Sequence, residues 1–193
     1  FINEIGFETY QKILNEAIEE LKETEFKELY ENDSNEKKYV NDITIDTDFE
    51  LLFPDDYVNN ISERLNLYTA LNGLKTEEDL EDFQLKLIDR FGELPVQVED
   101  LLNSVRIKWV GTQLGFEKLV MKQNKTIGYF IKDQQSSFYQ SSNFTKILSY
   151  VQSHSSTCKM KEKETRQGLR LLLIFDKIKS VEEALKVLQP ILE

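Results

Sequence analysis

Apolar residues recur along this chain with two different periods, and the change from one to the other divides it. Residues 7–22 place Phe7, Tyr10, Ile13, Leu14, Ala17, Ile18 and Leu21 at helical spacing, which predicts an amphipathic helix. Residues 22–41 are rich in Glu, Lys, Asn, Asp and Ser and poor in apolar side chains, the composition of a mobile linker. Ile43, Ile45 and Thr47 then alternate with polar residues as a short strand does, before Pro54-Asp55-Asp56 turns the chain. A helix over 57–74 follows, with Ile61, Leu65, Tyr68 and Leu71 as its apolar stripe and Gly73 near its end. Thr76-Glu77-Glu78-Asp79 reads as a variant capping box opening a helix with Leu80, Phe83, Leu87 and Ile88 inward, stopped by Gly92. Pro95 marks the first turn of the next helix, whose stripe of Val98, Leu101, Leu102, Val105 and Trp109 runs to Gly115.

Beyond Gly115 the period falls to two. Residues 116–121 and 126–132 predict a hairpin about Gln123-Asn124-Lys125, followed by a helix over 143–152. Residues 157–163 and 169–175 repeat the hairpin around Arg166-Gln167-Gly168, and Ser180-Val181-Glu182-Glu183 is a capping box for the last helix. Because 169–175 is apolar apart from Arg170, it is expected at the centre of the sheet with both faces covered. The fold class is therefore α+β: an N-terminal helix and a helical cluster, then two strand-strand-helix units forming a small antiparallel or mixed sheet.

Charge sharpens the division. The net charge of −11 combines 27 acids and 9 bases in residues 1–100 with 8 acids and 15 bases in residues 101–193, so the halves carry −18 and +7. The acidic half repels phosphate backbones and favours basic protein surfaces, through a field that salt weakens. No apolar run reaches the ~20 residues of a bilayer span, residues 1–6 lack a secretory signal's pattern, and the lone Cys158 has no disulfide partner; a cytoplasmic location is expected.

Catalytic chemistry leaves little trace. His154, the one histidine, sits among Ser153, Ser155 and Ser156 with no orienting acid or oxyanion hole in view, which is how a helix C-terminus reads. Seven scattered glycines make no phosphate-cradling loop, so no cofactor is expected. Asp55 and Asp56 suit a helix N-terminus better than a cation loop, and Cys158 suits a buried strand position. Lys159, Lys161 and Lys163 share a strand face, with Arg166 and Arg170 nearby; the aromatics Tyr129, Phe130, Phe138 and Tyr139 are not interleaved with them. That pattern fits a solvated sheet face, with an accessory nucleic-acid grip as the alternative. Glu78, Asp82, Lys86 and Asp89 step along one helix by three or four residues and form a polar stripe.

Several blocks resemble one family. Gly6-Phe7-Glu8-Thr9-Tyr10, Leu52-Phe53-Pro54-Asp55-Asp56-Tyr57, Arg64-Leu65-Asn66-Leu67-Tyr68, Leu87-Ile88-Asp89-Arg90-Phe91-Gly92-Glu93-Leu94-Pro95 and Leu114-Gly115-Phe116-Glu117-Lys118-Leu119 are similar, in order and spacing, to the C-terminal region of the bacterial transcription-repair coupling factors. The resemblance implies residues 1–24 as the tail of a translocase module and its linker helix, 25–41 as a flexible acidic linker, and 42–193 as the C-terminal domain, helical over 42–115 and ββαββα over 116–193. It implies membership of an ATP-driven DNA translocase that displaces stalled RNA polymerase and recruits nucleotide excision repair through UvrA. DNA would be met through the full-length protein only, and no membrane is involved. No translocase motif lies in this chain, so the implied role is a non-catalytic, autoinhibitory lid that packs on the family's UvrB-like module and covers its UvrA-binding surface. Docking in the family uses acids on the helix that ends in the Ile88–Gly92 block, pairing with arginines of the UvrB-like module. Asp89 matches that pattern, Lys86 departs from it, and Asp82 and Glu78 supply acids further back.

Overall fold

The computed structural model describes residues 39–165 and 168–193. The helix expected over 7–22, most of the linker and the turn residues Arg166 and Gln167 lie outside the described residues. Chain order is β1 (Thr44–Thr47), α1 (Ile61–Asn72), α2 (Glu77–Phe91), α3 (Val96–Gln113), β2 (Phe116–Lys122), β3 (Lys125–Phe130), α4 (Ser142–Ser153), β4 (Cys158–Thr165), β5 (Gly168–Asp176) and α5 (Val181–Leu188), with short 3-10 turns at Ser137–Gln140 and Gln189–Ile191.

The strands make one mixed sheet in the order β1-β2-β3-β5-β4. Both hairpins pair antiparallel, as their patterns predict, and β3 joins β5 to fuse the two strand-strand-helix units. Gln123 and Asn124 take positive φ (52° and 58°), the two-residue turn whose twist matches a hairpin. The short strand β1 pairs parallel with β2, Ile45 opposite Leu119, and the three intervening helices provide the crossover that parallel pairing needs. The central strand is β3 rather than the more apolar β5, which is an inner strand with its first residues, Gly168 and Leu169, exposed. Arg170 explains part of the difference: it is only 8% exposed and gives its guanidinium to Glu117 at 2.6 Å, so one alternate position on β5 is an ion pair rather than a covered apolar side chain.

One face of the sheet carries the main core. Leu119, Met121, Phe130, Leu173 and Phe175 pack there with Ile107 and Leu114 of the α3 end, Ile147 of α4, and Ala184 and Leu188 of α5. Phe116, Phe130, Phe138 and Phe144 meet edge-on or tilted at ring distances of 4.9 to 6.1 Å. Two glycines make room for this cluster. The far edge of the Phe116 ring covers Gly128, where an added Cβ would come within 2.4 Å of it, and Gly115 adopts φ 74° beneath Phe138.

A second core joins the three helices, with Leu71, Leu80, Phe83, Leu87, Val98 and Leu102 at its centre. The two expected caps are honoured: Thr76 and Ser180 each accept an N–H three residues on, and Glu183 accepts the Lys179 N–H; Asn60 and Ser141, which sequence reading did not single out, cap α1 and α4 in the same way. The phase of α1 is not as expected. Ile61 and Leu65 are 67% and 61% exposed, while Leu71 is buried and Leu67 and Tyr68 pack against the helical core. Residues 57–60 are not helical. Tyr57 instead donates its hydroxyl to the carbonyls of Leu87 and Gly92, and Arg64 to that of Val58, which sets the rotation of α1.

Two predictions come from this packing. Gly128→Ala should destabilise the fold by about 1–3 kcal/mol in denaturant unfolding, since the Phe116 ring must move off the sheet. At the α3–α5 junction, burial and the charges of Glu99 and Glu182 raise the Asp100 carboxyl above its ordinary value of 3.8. A raised acid disfavours its charged form in the fold, so its penalty grows as pH climbs through the folded value and is full at neutrality. Asp100→Asn should therefore raise unfolding free energy at pH 7 by about a few tenths of a kcal/mol after solvent screening, read as a higher Tm, with the gain vanishing below pH 3.8.

Candidate protein-docking surface

The rotation of α2 is fixed from both sides. Thr76 Oγ1 accepts the Asp79 N–H at 3.1 Å, and Glu77, Glu78 and Asp79 complement the positive helix end. The Thr76 hydrogen bond, with nearby backbone N–H groups and Lys86, holds the Asp79 carboxyl below its ordinary value. At the other end Gly92 leaves the helix with φ 88° while its N–H still reaches the Ile88 carbonyl at 2.9 Å. Arg106 of α3 grips Glu77 at 2.7 Å, and Leu80, Phe83 and Leu87 are buried in the helical core.

With that face inward, a helix of about 100° per residue puts Glu78, Asp82, Leu85 and Asp89 on one line roughly opposite the core. All four are exposed, and none of the three acids has an ion-pair partner among the described residues. The structure thus brings Glu78, Asp82 and Asp89 together and leaves their charge available. Lys86, the fourth expected member, stands off this line at the rim of a groove of about 400 Å³ between α1 and α2, beside Arg90. Arg90 itself is engaged, paired with Glu63 and 5.0 Å over the Phe91 ring. Sequence reading missed Leu85, which is 64% exposed in the middle of the acidic line, and took Ile88 for a core residue although it is 39% exposed at the line's edge. The available signal was a leucine falling outside the Leu80-Phe83-Leu87 stripe. An apolar side chain framed by unpaired acids is how the centre of a protein-binding patch is built, with charges steering and apolar area holding.

The other candidates are tied into local structure. His154 stacks on Tyr150 at 4.0 Å, and its Nδ1 lies 3.0 Å from both the Tyr150 carbonyl and Ser153 Oγ, closing the end of α4. Cys158 is buried, its thiol raised by burial and donated to the His154 carbonyl. Asp55 pairs with Arg64 at 2.7 Å. Among the described residues no group of His, Cys, Asp and Glu is arranged to hold a metal ion, and no helix is long and apolar enough to cross a membrane.

Residues 47–141, which run from the last residue of β1 through the three helices and the first hairpin, match the family model of the TRCF domain. The chain is 34% identical over 161 residues to the transcription-repair-coupling factor of Rickettsia conorii, covering 83% of this chain, and 33% identical over 120 residues to that of Escherichia coli, covering 60%. The chain belongs to the TRCF domain family. It spans only 13% and 10% of the length of those two relatives. The architecture of the TRCF domain is also that of a solved structure, the C-terminal domain of a transcription-repair coupling factor, with a TM-score of 0.56 at 23% identity over 78% of this chain and 95% of that one.

The exposed and inward faces of α2 should respond oppositely to truncation. Leu85→Ala is expected to leave unfolding free energy within about 0.5 kcal/mol of the parent, whereas Leu87→Ala costs roughly 2–5 kcal/mol.

Proposed function

We propose that this TRCF domain is a non-catalytic docking module, a lid that closes on the UvrB-like module of its own protein and covers the UvrA-binding surface there. The whole protein in this reading is an ATP-dependent DNA translocase that couples transcription to nucleotide excision repair. UvrA and RNA polymerase are then indirect partners, and DNA is contacted elsewhere in the full-length chain. The observation that carries the proposal is the line Glu78, Asp82, Leu85 and Asp89, an apolar centre with unpaired acids on a helix whose inward face is anchored. Membership of the TRCF family supports the setting in DNA repair.

The energetics suit a contact that has to open. Solvent-accessible ion pairs contribute about 0.2–1 kcal/mol each, so three acids add orientation and speed more than adhesion. Burying a leucine contributes on the order of 1.5–3 kcal/mol when complete. Such a lid holds when tethered in the same chain, where effective concentration is high, and yields when the tether or a competitor changes the geometry.

Calorimetric titration of the chain with the isolated UvrB-like module should give binding that weakens between low and physiological salt. Asp89→Lys should weaken it roughly fivefold, about 1 kcal/mol, and Leu85→Ala by at least as much. Absence of binding at low salt, with both partners folded, would remove the lid reading for this protein.

A further inference from the structure

The face of the sheet turned away from the main core carries an apolar strip between lysines. Alternation and register place on it two cross-strand rows, Val120, Ile127 and Ile174 in one and Tyr129 and Leu172 in the other. These five lie outside both apolar cores, and all but Leu172 are half-buried rather than covered. Lysines flank the rows on both sides. Lys118 and Lys122 stand on β2, Lys125 at the start of β3, and Lys159, Lys161 and Lys163 along the edge strand β4. Among the described residues, Asp46 bridges Lys118 and Lys122 at 3.5 and 2.6 Å, and Asp176 bridges Lys125 and Lys159 at 3.5 and 3.4 Å. Arg170 is already matched by Glu117. Lys161 and Lys163 are exposed and have no ion pair among the described residues. A protein of net charge −11 thus concentrates positive charge around an apolar strip.

We propose that this face receives an acidic amphipathic helix from a protein partner, laid along the strands with its apolar stripe on Ile127 and Tyr129 of β3 and Leu172 and Ile174 of β5, and its acids against the lysines on either side. The width fits. From β2 to β4 is three strand spacings of about 4.8 Å, and a helix with side chains is about 10–12 Å across, so its flanks reach both lysine rows while its underside covers β3 and β5. Charge complementarity selects the partner: acids on one edge of the helix meet the unpaired Lys161 and Lys163, and acids on the other meet Lys118 and Lys122, which share the single carboxylate of Asp46. Single-stranded nucleic acid fits less well, because consecutive bases need consecutive aromatic platforms and Tyr129 is the only ring in the two rows. This surface is separate from α2, so it stands or falls independently of the lid.

The test uses the 193-residue chain and three fluorescent probes: a helical peptide of about five turns with a leucine stripe flanked by glutamates, the same peptide with lysines for glutamates, and an oligo-dT strand. Anisotropy at low salt should show binding of the acidic peptide alone, weakened by salt and lowered about tenfold by Lys161→Glu/Lys163→Glu. Lys161→Gln/Lys163→Gln should give a smaller loss, and unchanged melting curves for both variants tie the effect to the surface. The proposal is overturned by no binding of the acidic peptide, by equal binding of the two peptides, by insensitivity to charge reversal, or by binding of oligo-dT in the acidic peptide's place.

Discussion

Burial of Leu80, Phe83 and Leu87 beneath a helix capped at Thr76 and released at Gly92 is the constraint on which the reading of this protein depends. Three large apolar side chains facing one way leave no freedom in the rotation of α2. The hydroxyl of Tyr57 on the Leu87 and Gly92 carbonyls and the Arg106–Glu77 pair lock the two ends to the segment before α1 and to α3. Whatever lies opposite is held out to solvent on a rigid rod, so the acids and Leu85 form a surface that needs no rearrangement to be presented. That is the property a docking element requires, and it follows from core packing rather than from the surface residues themselves.

The sheet half obeys the same logic with a different period. Phe116, Phe130 and Phe138 pack tightly enough that Gly115 and Gly128 have no space for a side chain, and this fixes which alternate residues face the helices. The opposite set, with its lysines and half-buried aliphatics, is thereby committed to the outer face. The acidic line on α2 and the lysine-flanked outer face of the sheet are two electrostatically distinct surfaces within a net charge of −11. Fields of opposite sign keep two partners from competing for one site.

Local chemistry was the legible part of the sequence. Thr76 and Ser180 as caps, Gly92 as a stop and Gln123-Asn124 as a turn act within three or four residues, and each is where its neighbours predict. The α+β order and both hairpins follow from the change of period. What escaped depends on distant partners. The spacing of Ile61 and Leu65 names a stripe on α1 but not which side meets the core, and Tyr57 and Arg64 decide that through contacts the periodicity does not encode. The position of β5 beside rather than at the centre follows from its pairing with β3, and from a buried Arg170 whose partner Glu117 is 53 residues away. On the outward line of α2, the carboxylates were visible as a polar stripe, whereas Leu85 was hidden among the apolar residues of the same helix until the buried face was known.

Amide chemical-shift mapping of the folded chain on addition of the unlabelled UvrB-like module tests the central claim most directly, because it locates the contact without altering a residue. The account predicts perturbations concentrated along α2, strongest around Glu78, Asp82, Leu85 and Asp89, and absent from the strands. Shifts confined to the sheet, with α2 undisturbed at saturating module, would contradict it.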